Sequence, residues 1–202
     1  MRTTMTGTGG PPIVFVHGFA CDPTDWSAQT ASFEPRTTVV TCELPGHSAE
    51  LGSGADFAVD AFGAEIVRAL SSLNLPPAIL VGHSMGCRFV LEANRIAPDM
   101  AAGLVLVDGS SIGSGDSAAA EAAMSNLLAG DRYRPFVRRF FESMFVPTSD
   151  PALAHRIVER ALLLPGTAGR RSSSIRRGGM RAAPPLRSTR SECHCWPSRA
   201  RR

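Results

Sequence analysis

A chain of 202 residues with 44% apolar side chains is long enough to form one domain with a buried core. No apolar run approaches the roughly 20 residues that span a membrane, and the N-terminus lacks the apolar segment of a secretory signal. Five cysteines, an odd number spread along the chain, are not typical of a disulfide framework. We therefore expect a cytoplasmic protein without a membrane span.

The charge of the chain is unevenly distributed. All 21 basic residues are arginine, and residues 169–202 contain ten of them but only one of the 18 acidic residues. Residues 1–168 are therefore mildly acidic, although the net charge of the whole chain is +3. Because the basic balance comes from one end of the chain, it says nothing about nucleic-acid binding by the folded part. We expect no nucleic-acid partner.

The first predicted elements lie on either side of a His-Gly pair. Residues 13–16 are all apolar, which is typical of a strand buried on both faces of a parallel sheet. Residues 17–19, His-Gly-Phe, follow directly, and on their own they indicate only a turn. Residues 22–33 are predicted to form a short helix with Trp26 on its buried face, and residues 37–42 are predicted to form a second strand.

The most informative stretch follows an amphipathic helix predicted at 57–73. Residues 79–81 form a short apolar run, residues 82–86 read Gly-His-Ser-Met-Gly, and a segment compatible with a helix continues to about residue 96. The pattern G-x-S-x-G between a strand and a helix is typical of a nucleophile elbow, although without these flanks it indicates only a turn. The elbow would raise the Ser84 hydroxyl above the sheet edge, beside N–H groups that favour negative charge.

At these two motifs the chain resembles the α/β-hydrolase family, from about residue 11 to about 110 and less clearly to 165. The resemblance implies that Ser84 is a nucleophile and that the backbone N–H groups of Phe19 and Met85 form an oxyanion hole. It implies no cofactor. Residues 43–48, Glu-Leu-Pro-Gly-His-Ser, are similar to the family's Asp-x-Pro-Gly-His-Gly loop, and we assign His47 no chemical role.

A further strand is predicted at 103–107, followed directly by Asp108. The alternation of strands and helices predicts an α/β fold with a doubly wound, mostly parallel sheet. Ligands of such sheets bind beyond the carboxyl ends of the strands, where His17, Ser84 and Asp108 are all expected. Asp108 is a candidate catalytic acid or a structural cap of the next loop, and both interpretations remain open.

The pattern then becomes helical, with helices predicted at 119–128, 133–145 and 152–164. The family carries a helical cap in this position, so we expect a cap at about 116–164. Five apolar side chains there could line an acyl pocket or could attach the cap to the core, and both roles remain open: Phe136, Phe140, Phe141, Met144 and Phe145.

The character of the sequence changes after residue 165. Residues 169–202 are rich in Arg, Ser and Pro, and the last strands of the family, which carry its catalytic acid and histidine, are missing. We hypothesise a truncated or frameshifted end and expect a disordered tail after a core of residues 1–168. Cys193, His194 and Cys195 are too close together to complete a tetrahedral site, so no metal is expected.

The general base cannot be assigned from the sequence. Only His155 and His194 follow Asp108, and the family order is serine, acid, histidine. We predict a serine hydrolase acting on carboxylic ester or thioester bonds of small apolar acyl substrates, with activity impaired by the missing strands. A cofactor-free acyltransferase or perhydrolase is chemically adjacent, and the alternative from another class is a catalytically inactive fragment of the fold. The oligomeric state is open, and no nucleotide-binding glycine motif is present.

Overall fold

The computed structural model describes residues 1–47, 59–109 and 133–163. The helix predicted at 119–128 and the basic tail at 169–202 lie outside the described residues, so the predicted domain boundary at 168 remains a prediction.

One five-stranded sheet forms the centre of the protein. The strands are β1 (Arg2–Thr6), β2 (Ile13–Val16), β3 (Val39–Glu43), β4 (Ala78–His83) and β5 (Ala101–Val107). Their order is β1-β3-β2-β4-β5, with β1 antiparallel to β3 and the other neighbours parallel. The mostly parallel sheet predicted from the sequence is confirmed. Strand β1 was not predicted, because its threonines and exposed positions give no apolar signal.

Helices lie on both faces of this sheet. They are α1 (Ser27–Phe33), α2 (Val59–Leu73), α3 (Met85–Ile96), α4 (Tyr133–Glu142) and α5 (Pro151–Ala161), with short 3-10 helices at Pro23–Trp26 and Pro98–Met100. The helix predicted at 22–33 is thus divided into a 3-10 turn and α1. Asp22 caps the turn, since its side chain accepts a hydrogen bond from the Thr24 N–H at 2.7 Å.

Strand β2 shows why two layers of helices are needed, because all four of its side chains are buried. Val14 and Val16 belong to the larger core, which α2 and α3 cover. Ile13 and Phe15 point to the opposite face, where Phe15 stacks on Trp26 with ring centroids 4.6 Å apart. The apolar run at 13–16 therefore supplies both cores at once.

Strand β5 lies at the end of the sheet. Among the residues that the structure describes, its only neighbouring strand is β4. Val105 and Leu106 are 44% and 48% exposed, and Val107 is also exposed. This edge of the described sheet is therefore apolar and accessible to water.

Candidate active site

Ser84 lies at the sharp bend between β4 and α3. Its backbone has φ 50° and ψ −116°, which a residue with a side chain seldom adopts. The Ser84 N–H donates to the Val107 carbonyl at 2.9 Å, and the Ser84 carbonyl accepts from the Cys87 N–H at 3.1 Å. These bonds hold the bend between the sheet and the first turn of the helix.

The two glycines of the motif allow the backbone to pack around this bend. A Cβ on Gly82 would lie 2.6 Å from the Gly86 carbonyl oxygen and 2.7 Å from the Cys87 Cα. A Cβ on Gly86 would lie 2.6 Å from the carbonyl oxygens of both Val16 and His17. No larger residue fits at either position without moving backbone.

The loop after β2 meets the elbow from the other side. The Gly18 carbonyl accepts from the Cys21 N–H at 3.4 Å and Ala20 has φ 53°, so residues 18–21 form a tight turn. A Cβ on Gly18 would lie 3.2 Å from the Ser84 Cβ. The Phe19 N–H, which the turn does not use, has no hydrogen-bond partner among the described residues. The second proposed donor, the Met85 N–H, lies at the first residue of α3.

His17 is a buried structural residue. Its Nδ1 donates to the Gly18 carbonyl at 2.9 Å, because a carbonyl can only accept and the ring must therefore carry its proton on Nδ1. Its Nε2 accepts from the Leu44 N–H at 3.1 Å. Burial, and secondarily His47, lower its pKa from 6.5 to about 3. With both ring nitrogens engaged, His17 cannot take a proton from Ser84. No sequence signal pointed to Leu44, which lies 27 positions away along the chain.

His47 is also held neutral. Its Nδ1 donates to the Pro45 carbonyl at 3.3 Å, and burial lowers its pKa. Its Nε2 is buried and has no hydrogen-bond partner among the residues that the structure describes. Its ring packs edge-on against His17 at 5.2 Å and Phe19 at 6.4 Å. His47 therefore supports the loop after β2.

No general base can be assigned among the described histidines. His83 packs edge-on against Trp26 at 6.3 Å, and His155 is exposed on α5. Within residues 1–47, 59–109 and 133–163, no hydrogen bond joins the Ser84 Oγ to a histidine ring. His194 lies outside the described residues, so the base that the sequence could not assign remains unassigned.

Asp108 lies at the same edge of the sheet as the elbow. It follows Val107, whose carbonyl accepts the Ser84 N–H, and it has φ 48° and an exposed side chain. Among the described residues, no side chain makes a hydrogen bond or ion pair with its carboxylate. Both roles predicted for Asp108, catalytic acid and structural cap, remain open.

Helices α4 and α5 pack on the loop after β2. Val137 and Phe141 of α4 form a buried cluster with Ala20 and Cys21, and Phe136 and Phe145 pack against this cluster. Phe140 and Met144 are exposed, at 37% and 56%. Of the five apolar residues considered for an acyl pocket, three therefore take part in attaching these helices to the core.

Burial also affects the thiol beside this loop. The pKa of Cys21 is raised to about 12, first by burial and then by the Asp25 carboxylate. Cys21 therefore stays protonated and cannot compete with Ser84 as a nucleophile.

In the described ranges, no group of three or more His, Cys, Asp or Glu residues could hold a metal ion. Within the same ranges, every helix is too short or too polar to span a membrane. The motif at 193–195 lies outside these ranges.

The chain was compared with protein families, with curated proteins and with solved structures. The model of the Alpha/beta hydrolase family matches residues 13–199, beyond the point near residue 165 where the motifs alone placed the end of the resemblance. The chain is 31% identical over 107 residues to the dihydrolipoyllysine-residue acetyltransferase component of an acetoin cleaving system from Pseudomonas putida. That alignment covers 53% of this chain and 29% of the relative.

The chain is also similar to two esterases, one by sequence and one by structure. A pimeloyl-[acyl-carrier protein] methyl ester esterase from Methylococcus capsulatus is 32% identical over 104 residues, which cover 52% of this chain and 39% of the relative. The solved structure of an esterase from Exiguobacterium antarcticum matches with a TM-score of 0.73 at 15% identity, covering 85% of this chain and 67% of that one. The structural match shows a shared fold, and the chain matches less than half the length of either curated relative.

Proposed function

Since this chain belongs to the alpha/beta hydrolase family, we propose that it is a serine hydrolase that cleaves carboxylic ester or thioester bonds of small apolar acyl substrates. The observation that carries the proposal is the strained bend at Ser84, against which the Gly18 turn packs closely. Strained backbone persists where the surroundings enforce it, and such residues cluster at active sites. The names of the two esterases among the similar proteins support the choice of bond.

In the proposed mechanism, the Ser84 hydroxyl attacks the carbonyl carbon of the substrate and loses its proton to water. The tetrahedral intermediate then expels the alcohol or thiol, which takes up a proton, and water hydrolyses the acyl-enzyme. The negative charge that develops on the carbonyl oxygen is stabilised by the N–H groups of Phe19 and Met85. Each donor of this kind contributes about 3–4 kcal/mol to transition-state stabilisation. Asp108 is proposed as the acid that would orient a histidine.

The proton acceptor limits the expected rate. A serine hydroxyl is a poor nucleophile at neutral pH unless a base takes its proton. Both ring nitrogens of His17 are already in hydrogen bonds, and no described histidine makes a hydrogen bond to the Ser84 Oγ. Loss of the base leaves the residual catalysis of an oxyanion hole, roughly 10³–10⁴-fold above water. We therefore expect slow turnover by this chain.

The test is hydrolysis of p-nitrophenyl acetate by the purified chain and by its Ser84→Ala variant, with both shown to be folded by circular dichroism. We expect slow hydrolysis that depends on Ser84. Equal rates in the two proteins would overturn the proposal, and hydrolysis at ordinary esterase rates would overturn the expectation of impaired activity.

The second candidate is a catalytically inactive chain of the same fold that binds ligands or partners. It is favoured by the lack of a hydrogen bond between the Ser84 Oγ and any described histidine, and by the exposed apolar edge at β5. Absence of any reaction at Ser84 in a folded sample would favour this candidate.

The cytoplasmic location and the absence of nucleic-acid partners remain predictions from composition.

A further inference from the structure

A cluster of ion pairs joins α5 to the 3-10 turn that follows the Gly18–Cys21 turn. Nη2 of Arg160 donates to both carboxylate oxygens of Asp25, at 2.7 and 2.6 Å. Nη1 donates to Thr24 Oγ1 at 3.2 Å. Nε lies 3.2 Å from Asp22 Oδ2, an ion-pair distance without hydrogen-bond geometry. One guanidinium therefore contacts three residues of a four-residue stretch.

This cluster is partly withdrawn from water. The side chains of Arg160, Asp22 and Asp25 are 19%, 25% and 23% exposed. On either side of Arg160 along α5, Val158 and Ala161 are buried in the apolar cluster that α5 forms with the loop after β2. Charge-assisted hydrogen bonds in such surroundings are stronger than those of an exposed ion pair.

The acceptors of the cluster lie close to Phe19 along the chain. Asp25 Oδ2 accepts from the Asp22 N–H at 3.2 Å, which completes a capping box around the 3-10 turn. Asp22 directly follows Cys21, the last residue of the tight turn that contains Phe19. Ala20, which lies between Phe19 and Cys21, has φ 53°. A residue with a Cβ retains this conformation only when its surroundings enforce it.

We propose that Arg160 is a positioning residue: by fixing Asp22 and Asp25 against α5, it holds the Phe19 N–H beside Ser84 in the geometry of an oxyanion donor. The effect of Arg160 on reaction at Ser84 rests on the proposed function. Its effect on the conformation of the loop rests on the contacts of Arg160 alone. The contact between α5 and residues 22–25 is then a requirement for a correctly formed oxyanion hole.

A matched control lies on the same pair of helices. Arg138 of α4 donates to Glu159 of α5 at 2.8 Å and also pairs with Glu142, with 44% of its side chain exposed. Arg138→Gln therefore removes an arginine–carboxylate interaction between α4 and α5. Unlike Arg160→Gln, it leaves the contact with residues 22–25 intact.

The first experiment measures the loop without requiring turnover. Hydrogen exchange is followed by mass spectrometry in the peptide that contains the Cys21 amide, which donates to the Gly18 carbonyl, and the Asp25 amide, which donates to the Asp22 carbonyl. In Arg160→Gln we expect these amides to exchange roughly tenfold faster, since a lost charged hydrogen bond shifts a local opening equilibrium by about that factor. In Arg138→Gln they should exchange as in the wild type.

The second experiment measures inactivation by a fluorophosphonate that reacts with Ser84. Arg160→Gln should lower the limiting inactivation rate by about 10–100-fold, the effect of a small misplacement near a reacting group. The half-saturating concentration should change little, because the binding surface is retained. Arg160→Lys, which keeps the charge and loses the planar fork, should recover part of the rate, and Arg138→Gln should react like the wild type.

Equal hydrogen exchange in Arg160→Gln and Arg138→Gln would overturn the inference, as would an unchanged inactivation rate in Arg160→Gln. If the folded wild type does not react at Ser84, the proposed function fails, and the exchange measurement alone decides the structural role of Arg160. Should Arg160→Gln fail to fold, Arg160→Lys replaces it in both experiments, with smaller changes in the same direction, because it leaves the capping box of Asp22 and Asp25 intact.

Discussion

Ser84 has φ 50° and ψ −116°, and backbone hydrogen bonds to Val107 and Cys87 hold it in that conformation. The sequence predicted this bend because its causes are local, namely a strand, two glycines and a helix within a few residues. It could not predict that the Leu44 N–H would bind His17 or that Arg160 would bind Asp25. Both contacts join residues far apart in the chain, and no local pattern encodes such a pairing.

Gly86 gives a sharp test of the packing around the elbow. Its Cβ position lies 2.6 Å from two backbone oxygens, which cannot move as a flexible side chain can. We expect Gly86→Ala to lower the free energy of unfolding by about 1–3 kcal/mol, the usual cost of overpacking. Urea denaturation of the wild type and of the variant measures this change in the free energy of unfolding.

The matched control is Gly103→Ala in β5, where an added Cβ would meet no atom within 4 Å. We expect this variant to unfold at nearly the wild-type urea concentration. Equal destabilisation by the two substitutions would contradict the close packing at Gly86.

His17 should make the stability of the protein depend on pH. The unfolded chain binds a proton on this residue near pH 6.5, whereas in the folded protein the pKa is about 3, so protons favour unfolding between these values. Above pH 6.5 the titration of His17 should not change the free energy of unfolding. Below it, the free energy should fall by up to about 1.4 kcal/mol per pH unit. Urea denaturation at pH 8, 6, 5 and 4 measures the slope.

Two variants separate His17 from the other titrating groups. His17→Gln should be less stable at pH 8, because hydrogen bonds of the imidazole are lost, but its stability should fall less steeply with acid. Some slope should remain, since burial also lowers the pKa of His47. His155→Gln, at an exposed position, should keep the wild-type slope. An unchanged slope in His17→Gln would contradict the account.

Among the elements, α2 and α3 pack closely on one face of the sheet. Phe62 of α2 and Phe89 of α3 stack with ring centroids 4.4 Å apart, and both rings are buried. The amphipathic pattern predicted α2 and its buried face, because helical spacing is visible in the sequence. Strand β1 was missed, since its pairing with β3 depends on backbone hydrogen bonds and leaves its polar side chains exposed.

We expect Phe89→Ala to lower the free energy of unfolding by about 3–5 kcal/mol, because the lost ring leaves a cavity beside Phe62. Thermal and urea denaturation provide the measurement. Leu91→Ala, on the same helix at a position 40% exposed, serves as the control and should change stability by less than about 0.5 kcal/mol. A small effect of Phe89→Ala would mean that this helix pair contributes little to the core.

For the whole molecule, the described sheet ends at an apolar edge on β5. The sequence predicted the doubly wound arrangement because strands and helices alternate with short connections. Among the residues that the structure describes, no strand pairs with the outer side of β5. Open apolar edges pair readily with other chains, so this edge should govern self-association.

Leu106→Arg tests that expectation. Leu106 is 48% exposed, so a charge there should cost little stability while opposing edge-to-edge pairing. Analytical ultracentrifugation over a range of concentrations should show less association in this variant than in the wild type. Leu91→Arg, which adds the same charge to the exposed surface of α3, should associate like the wild type. Equal association in the two variants would exclude the β5 edge as its cause.

The most direct test of the central claim is to treat the folded protein with a fluorophosphonate and map the adduct by mass spectrometry. We predict a single slow modification at Ser84, absent from Ser84→Ala and from protein unfolded in urea. A folded protein that carries no adduct at Ser84 after prolonged exposure would contradict the claim that this bend presents a reactive hydroxyl to an oxyanion hole.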